Sequence, residues 1–142
     1  MMNERLHRIM TRDVITVTGE QTVADVHDIV KHKRLHHIPV VDGAKLVGII
    51  TSYDLMKMEV CPTEYGAHYV RDVMTTHVAY LSPDDLVGAA AEVFMAHLFH
   101  GLPICDAEKN LVGIVTTHDV LKYNYYKEYP RERAKSFSLM GS

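Results

Sequence analysis

Apolar and polar positions along the chain follow two periods, and the same series occurs twice. Residues 14–17 and 78–81 are short runs of mainly β-branched or aromatic residues bounded by turn residues, which predicts a strand at each. Helix-start residues follow, and apolar residues then recur at helical spacing, which predicts one amphipathic helix per series. The apolar helix positions are Val23, Val26 and Val30 in the first series and Val87, Ala90, Phe94 and Leu98 in the second.

After each of these helices the pattern predicts a β-hairpin and then a second helix. The predicted hairpin strands are residues 38–41 with 46–51 in the first series and 102–105 with 111–116 in the second. The second helices are expected to begin near Asp54 and near Asp119. Pro39 and Pro103 lack a backbone donor, so they belong at strand starts or at sheet edges.

The two series are copies of one another. Met10-Thr11 aligns with Met74-Thr75 at a shift of 64 residues, and after one extra loop residue 46–49 aligns with 111–114 at a shift of 65. Roughly fifteen of about fifty aligned positions are identical, which indicates an internal duplication.

The sequence therefore predicts an α/β (α+β) fold made of two β-α-β-β-α repeats, each with a three-stranded sheet. A lone copy would be marginally stable, because domains near roughly 60 residues bury too little surface. The repeats are thus expected to pack through their sheets about a pseudo-twofold axis, with equivalent clefts on either side. The predicted divisions are a first repeat (1–60), a connector (61–72) with a short helix from about 69 to 74, a second repeat (73–125) and a C-terminal extension (126–142).

Composition and motifs exclude several functional classes. The 142 residues carry a net charge of −3, which leaves no basic face for nucleic acid. Apolar runs are far shorter than the ~20 residues that span a bilayer, and the N-terminus has no apolar signal core, so we expect neither membrane insertion nor secretion. Cys61 and Cys105 are expected to be buried free thiols in the reducing cytoplasm. Metal-binding and nucleophile motifs are absent from the sequence, so we predict no catalytic site, no metal and no enzymatic activity.

The duplicated motifs resemble the CBS domain family in its usual paired arrangement. The resemblance rests on Met10-Thr11 and Met74-Thr75, on 36–42 with 100–106, and most strongly on 48–54 with 113–119. It covers roughly residues 8–125. It implies a regulatory module that binds an adenosyl ligand of the AMP, ADP, ATP or S-adenosylmethionine type in the clefts between the copies. A conformational change would then reach a second copy in a homodimer or a separate effector protein.

The residues that close each copy carry the candidate site. Asp54 and Asp119 offer acceptor oxygens for the hydroxyls of a ribose, at a helix start whose free backbone donors favour an anion. The Thr-x-x-Asp spacing is also typical of helix capping, and one residue can do both. Contacts to phosphate or ribose are predicted for Thr51, Ser52, Thr116, Thr117, His36, His37 and His100. The predicted adenine slot consists of Val17, Ile38, Pro39, Leu81, Leu102 and Pro103, for which ordinary sheet core is the alternative.

Two further expectations follow from side-chain chemistry. The histidines stand where the family often places arginine or lysine, and a neutral imidazole is a weaker phosphate partner than a guanidinium. If they face phosphate, nucleotide affinity should rise as the pH falls from about 8 to 6, where histidine titrates. Lys57 and Lys122 are expected to be solvated partners of the preceding aspartates. An alternative function is a dimerising scaffold with degenerate ligand sites, in which Tyr123, Tyr125, Tyr126 and Tyr129 form the interface.

Overall fold

The structure, a computed structural model, describes residues 2–97 and 99–130. Each repeat contains a helix, an antiparallel hairpin and a second helix, which confirms the predicted mixed α/β class. The elements are α1 (Val23–Lys33), β1 (His37–Asp42), β2 (Lys45–Thr51) and α2 (Ser52–Lys57), then α3 (Val70–Val73), α4 (Val87–His97), β3 (Gly101–Cys105), β4 (Leu111–Thr116) and α5 (Thr117–Glu128). Short 3-10 helices cover Leu6–Arg8 and Pro62–Ala67.

The hairpins position the end of each repeat in the same way. His37 lies opposite Thr51 in the first hairpin, and Gly101 lies opposite Thr116 in the second. Both threonines are the N-cap residues of the helix that follows at once, α2 or α5. Strand end and helix start therefore coincide, as the motifs 48–54 and 113–119 predict.

The strands predicted at 14–17 and 78–81 are wrong as regular strands. Each segment makes a single parallel bridge, Val17 with Val40 and Leu81 with Ile104, so each sheet has two strands rather than three. The Val17 N–H donates to Pro39 O at 3.1 Å and Val17 O accepts from the Val41 N–H at 2.9 Å. The next bridge would need an N–H from Pro39, which proline lacks, so the ladder stops. Pro103 has the same position beside Leu81.

The segment that opens each repeat packs on the other repeat. Thr11 exchanges two backbone hydrogen bonds of 2.9 Å with Ile114 of β4, and Thr75 exchanges two of 2.9 Å with Ile49 of β2. Leu6 and Met10 lie in the core of the second repeat. Val70 lies in the core of the first, with Met74 packed against it. The opening segments are thus exchanged between the repeats.

The two hairpins meet at both ends. The Leu46 N–H donates to Lys109 O at 3.1 Å, and the Leu111 N–H donates to Ala44 O at 2.9 Å. At the other end, a Cβ on Gly101 would lie 3.2 Å from Cγ of His37. Positions 37 and 101 are equivalent in the duplication, so the pseudo-twofold axis passes between them.

Some expectations concern residues outside the described ranges. Leu98, expected on the apolar face of the α4 helix, and the tail 131–142 lie outside them. The first residues of the predicted extension, 126–128, continue α5. Within the described chain, no helix has the length and apolar character needed to cross a bilayer.

Candidate functional site

The Thr-x-x-Asp motifs form a capping box at both repeat ends. In the first repeat, Asp54 Oδ2 accepts from the Thr51 N–H at 2.9 Å and from the Thr51 hydroxyl at 3.1 Å, and Thr51 Oγ1 accepts from the Asp54 N–H at 3.2 Å. Thr116 and Asp119 repeat this pattern at 2.9, 3.0 and 3.2 Å. The capping interpretation is therefore confirmed at both sites, and it occupies only one oxygen of each carboxylate.

The other oxygen of Asp54 remains for a second role. Asp54 is 7% exposed, and in the described part of the chain it is the one charged residue that is buried. Its Oδ1 lies 3.7 Å from Nζ of Lys57, whose side chain is 56% exposed and also stands 4.8 Å over the Tyr53 ring. The expected Asp54–Lys57 pair is thus confirmed, and a pair this open to water holds the carboxylate only weakly.

Asp54 lies in the wall of a cleft of about 600 Å³. This volume is within the roughly 300–1,000 Å³ typical of small-molecule sites. The first repeat contributes His36, His37, Ile49, Thr51, Ser52, Tyr53, Asp54 and Lys57. The second contributes Thr75, His77, Val78, Ala79, Phe99, His100, Gly101, Leu102 and Pro103. Both repeats therefore build the same cleft.

Four histidines line this Asp54 cleft. They are His36, His37, His77 and His100. Nδ1 of His36 lies 3.3 Å from Oγ of Ser52, and the Ser52 N–H donates to His36 O at 3.1 Å. The His37 and His100 rings are 6.2 Å apart. The imidazoles of His36 and His37 thus lie beside the start of α2, and His77 and His100 line the same cleft from the second repeat.

The surroundings of His37 disfavour its protonated form. Burial lowers the pKa of His37, the nearby His100 and His36 lower it further, and the carboxylate of Asp54 opposes them. His37 is therefore neutral at pH 7. A bound anion would act in the same sense as Asp54 and raise the pKa of His37.

The predicted ligand contacts divide between this cleft and other places. Thr51, Ser52, Asp54, His36, His37, His100, Leu102 and Pro103 line the cleft. Val17 and Ile38 lie in the core of the first repeat, Pro39 is buried in β1, and Leu81 packs against the core of the second repeat. Of the predicted slot residues, those that lie beside Asp54 thus come from the other repeat.

The predicted contacts Thr116, Thr117 and Asp119 of the second repeat lie at the start of α5. Thr116 caps that helix, and Thr117 donates its N–H to His100 O at 3.0 Å. Asp119 lines a separate hollow of about 540 Å³ together with Glu4, Arg8, Ile9, Lys122, Tyr123, Tyr126 and Lys127.

Several residues of the cleft were not predicted as ligand contacts, among them Tyr53, His77 and Phe99. Tyr53 lies inside the 48–54 motif, His77 follows Thr75 by two residues, and Phe99 precedes His100. Residues 78 and 79 reach the cleft because the ladder beside Pro103 stops at Leu81. The signal available in the sequence was the proline itself, which limits how far the neighbouring segment can pair.

Of the two cysteines expected to be buried, Cys105 is buried, whereas Cys61 is exposed, so that expectation is wrong for Cys61. Burial, with a smaller effect of Asp106, raises the pKa of the Cys105 thiol to about 11, so the thiol is protonated at neutral pH. Among residues 2–97 and 99–130, no three His, Cys, Asp or Glu side chains are grouped so as to hold a metal ion.

Comparison with known proteins identifies the family. The CBS domain model matches residues 6–60 and 70–126, which is most of the chain. The chain belongs to the CBS domain family. The two matches make it a CBS pair, and the mixed α/β fold described above is that of the solved CBS-pair structures.

Solved CBS-pair structures resemble this one over most of its length. Protein MJ1225 of Methanocaldococcus jannaschii has a TM-score of 0.81 at 29% identity, covering 87% of this chain and 48% of that one. CBSX2 of Arabidopsis thaliana, solved in complex with AMP, has a TM-score of 0.78 at 25% identity, covering 87% and 98%. The CBS domain pair of protein MJ0100, solved with 5'-methylthioadenosine and S-adenosyl-L-methionine, has a TM-score of 0.76 at 27% identity, covering 88% and 98%.

Among curated proteins, the CBS pair matches segments of longer chains. It is 34% identical over 131 residues to the inosine-5'-monophosphate dehydrogenase of M. jannaschii, covering 92% of this chain and 25% of that enzyme. The chain spans a fifth to about half the length of the first curated relatives. These likenesses concern the CBS pair as a ligand-binding regulatory module and do not extend to the enzymes' reactions.

Proposed function

We propose that the Asp54 cleft binds an adenosyl ligand, a nucleotide of the AMP, ADP or ATP type or S-adenosylmethionine, and that its occupancy regulates another protein. The observation that carries the proposal is the place of Asp54, a buried carboxylate with one oxygen left over from capping, in a cleft built by both repeats. The AMP complex of CBSX2 and the adenosyl complexes of the MJ0100 pair support the ligand class.

Each part of the ligand has a matching set of side chains. Oδ1 of Asp54 accepts from the ribose hydroxyls. Ser52 and the imidazoles of His36, His37 and His100 donate to phosphate or ribose oxygens. Leu102 and Pro103 give the adenine an apolar wall. In the second repeat, Asp119 stays a predicted ribose contact, and Thr116 and Thr117 stay predicted contacts to phosphate or ribose.

Regulation would act through the relative position of the repeats. A ligand that touches both repeats favours one arrangement of them only if it binds that arrangement more tightly than another. The output then reaches a second copy in a homodimer or a separate effector protein. Free thiols at Cys61 and Cys105 suit a reducing compartment, so we place this regulation in the cytoplasm.

The test replaces Asp54 by Asn and measures binding by calorimetry with AMP, ADP, ATP and S-adenosylmethionine. Losing a charge-assisted hydrogen bond costs about 1.5–3 kcal/mol, so affinity for the ligand that binds should fall at least about tenfold. Asp25→Asn is the matched control, because Asp25 Oδ2 accepts from the Thr22 N–H at 3.1 Å in the capping box of α1, outside the cleft. Equal affinity in both variants would remove Asp54 from the site.

A dimerising scaffold is the second candidate. Met56 on α2 and Leu121 on α5 occupy equivalent positions of the duplication and are 78% and 67% exposed, and Tyr125 and Tyr129 lie farther along. Thermal denaturation separates the two functions. A ligand at 100 times its dissociation constant adds about 2.7 kcal/mol of stability, so unchanged melting with the whole panel would favour the scaffold.

A further inference from the structure

The hollow that Asp119 lines is not a copy of the Asp54 cleft. Its volume is about 540 Å³ and the two share no lining residue; we call it the α5 hollow. One wall is α5, which has 12 residues, whereas the equivalent helix α2 has 6. Tyr126 and Lys127 of the hollow are equivalent to Cys61 and Pro62, which lie beyond the end of α2. The hollow is thus built on a part of α5 that has no counterpart in α2.

Two segments that are far apart in the sequence form the α5 hollow. Its α5 residues are spaced by three and four positions, so they share one face of the helix. They are Asp119, Lys122, Tyr123, Tyr126 and Lys127. The opening segment of the first repeat contributes Glu4, Arg8 and Ile9. Ile9 and Tyr123 pack against the core of the second repeat, so the hollow has an apolar base.

Cations outnumber carboxylates in the α5 hollow. The cations are Arg8, Lys122 and Lys127, and the carboxylates are Glu4 and Asp119. Oε1 of Glu4 lies 3.5 Å from Nε of Arg8, and Oδ2 of Asp119 accepts from two donors of the α5 capping box. Within residues 2–97 and 99–130, Lys122 has no carboxylate at ion-pair distance. The carboxylates thus have partners inside the protein, and Lys122 can pair with an anion from outside.

The donors of the α5 hollow suit a phosphate group. A guanidinium and two ammonium groups are donors only, and the Tyr126 hydroxyl adds another donor. Nζ of Lys127 donates to the Tyr123 hydroxyl at 3.1 Å, which holds this ammonium group beside the hollow. A phosphate monoester carries about −1.5 to −2 charge at pH 7 and three acceptor oxygens, more than a carboxylate offers. The volume of the hollow is in the roughly 300–1,000 Å³ range of small-molecule sites, so an organic group fits beside the phosphate.

We propose that the α5 hollow is a second ligand site, which binds a phosphate monoester with a small organic group. The proposal goes beyond the adenosyl ligand of the Asp54 cleft and does not depend on it. Arg8, Lys122 and Lys127 bind the phosphate oxygens, and Ile9 and Tyr123 contact the organic group. Such a ligand touches both the exchanged opening segment and α5, so its binding holds the two together.

The experiment is an NMR titration of the nitrogen-15-labelled chain with phenyl phosphate at pH 7.5 and constant ionic strength. Amide signals of residues 119–127 report on the α5 hollow, and those of 51–57 report on the Asp54 cleft. The variants are Lys122→Gln and, as the matched control, Lys31→Gln, which removes one exposed charge of α1 outside both cavities. We expect saturable shifts at 119–127, with an affinity about fivefold lower in Lys122→Gln and unchanged in Lys31→Gln. Melting temperatures check that both variants fold.

Two further probes separate the parts of the ligand. Benzoate keeps the ring but carries one charge, and inorganic phosphate keeps the charge but lacks the ring, so each should bind at least about threefold more weakly than phenyl phosphate. Linear shifts without saturation, equal affinity in the two variants, or saturable shifts confined to 51–57 would overturn the site. Benzoate or inorganic phosphate binding as tightly as phenyl phosphate would overturn the ligand class. None of these outcomes contradicts nucleotide binding in the Asp54 cleft.

Discussion

At the scale of single residues, the pseudo-twofold axis leaves space for only one large side chain at positions 37 and 101. Positions 37 and 101 face each other, and a Cβ at 101 would lie 3.2 Å from His37 Cγ, so a second imidazole would compete for the same space. Glycine at 101 leaves room for one ring. Burial of that ring, with a further effect of the nearby His100 and His36, lowers the pKa of His37.

The lowered pKa of His37 makes the stability of the ligand-free chain depend on pH. Below about pH 6.5 the unfolded chain takes up a proton at this residue more readily than the folded chain, so folding loses free energy as the pH falls. In His37→Gln this loss is removed, and its free energy of unfolding should fall less between pH 7 and pH 5.5 than that of the unaltered chain. Urea denaturation at both pH values measures this free energy. An equal fall in the unaltered chain and in His37→Gln would contradict the prediction.

Residue identities in the cleft were only partly predictable. Asp54, Thr51 and His36 could be found because they belong to duplicated motifs whose chemistry is readable. His77 could not, because its partner position is Asp13 and no repeated pattern marks it. Only the pairing of Thr75 with Ile49 of the other repeat brings His77 to the cleft.

At the scale of elements, helices and hairpins were predicted well, and the opening strands were not. The helices at 23–33 and 87–97 follow from apolar spacing and start signals, and both hairpins follow from paired apolar runs around a turn. β-branched composition predicted strands at 14–17 and 78–81. Pairing also depends on donors in the neighbouring strand, and prolines at 39 and 103 withhold them.

Close packing of the exchanged segments explains the glycines of β2 and β4. A Cβ on Gly48 would lie 2.7 Å from Sδ of Met74 and 2.9 Å from Thr75 O, and one on Gly113 would lie 2.6 Å from Sδ of Met10 and 3.0 Å from Thr11 O. Glycine at these positions therefore allows the neighbouring segment to pack closely.

Gly48→Ala and Gly113→Ala should each lower the free energy of unfolding by about 1–3 kcal/mol, the cost of forcing extra atoms into a filled space. Gly66→Ala is the matched control, because its Cβ would meet nothing within 4 Å, and it should leave stability unchanged or slightly raised. Urea denaturation compares the three. Similar values for all of them would contradict the packing argument.

At the scale of the whole molecule, the duplication predicted the architecture but not which repeat completes which cleft. Periodicity and motifs describe each copy separately, so they leave open which of the predicted slot residues lie beside Asp54. The structure places Asp54 with Leu102 and Pro103 across the axis. Long-range pairing of this kind depends on contacts between distant segments, which local patterns do not record.

Because the opening segments are exchanged, each repeat holds part of the other in its core. Severing the chain near Glu59, an exposed residue with a φ of 54°, would leave Leu6 and Met10 on one fragment and Tyr65 and Val70 on the other, each seated in the opposite half. The nicked fragments should therefore co-elute on size exclusion and separate only in denaturant. Elution of the two fragments as separate folded species without denaturant would contradict this. A fragment designed to fold as one repeat must therefore include the opening segment of the other repeat. Boundaries taken from the order of residues along the chain would leave that segment out.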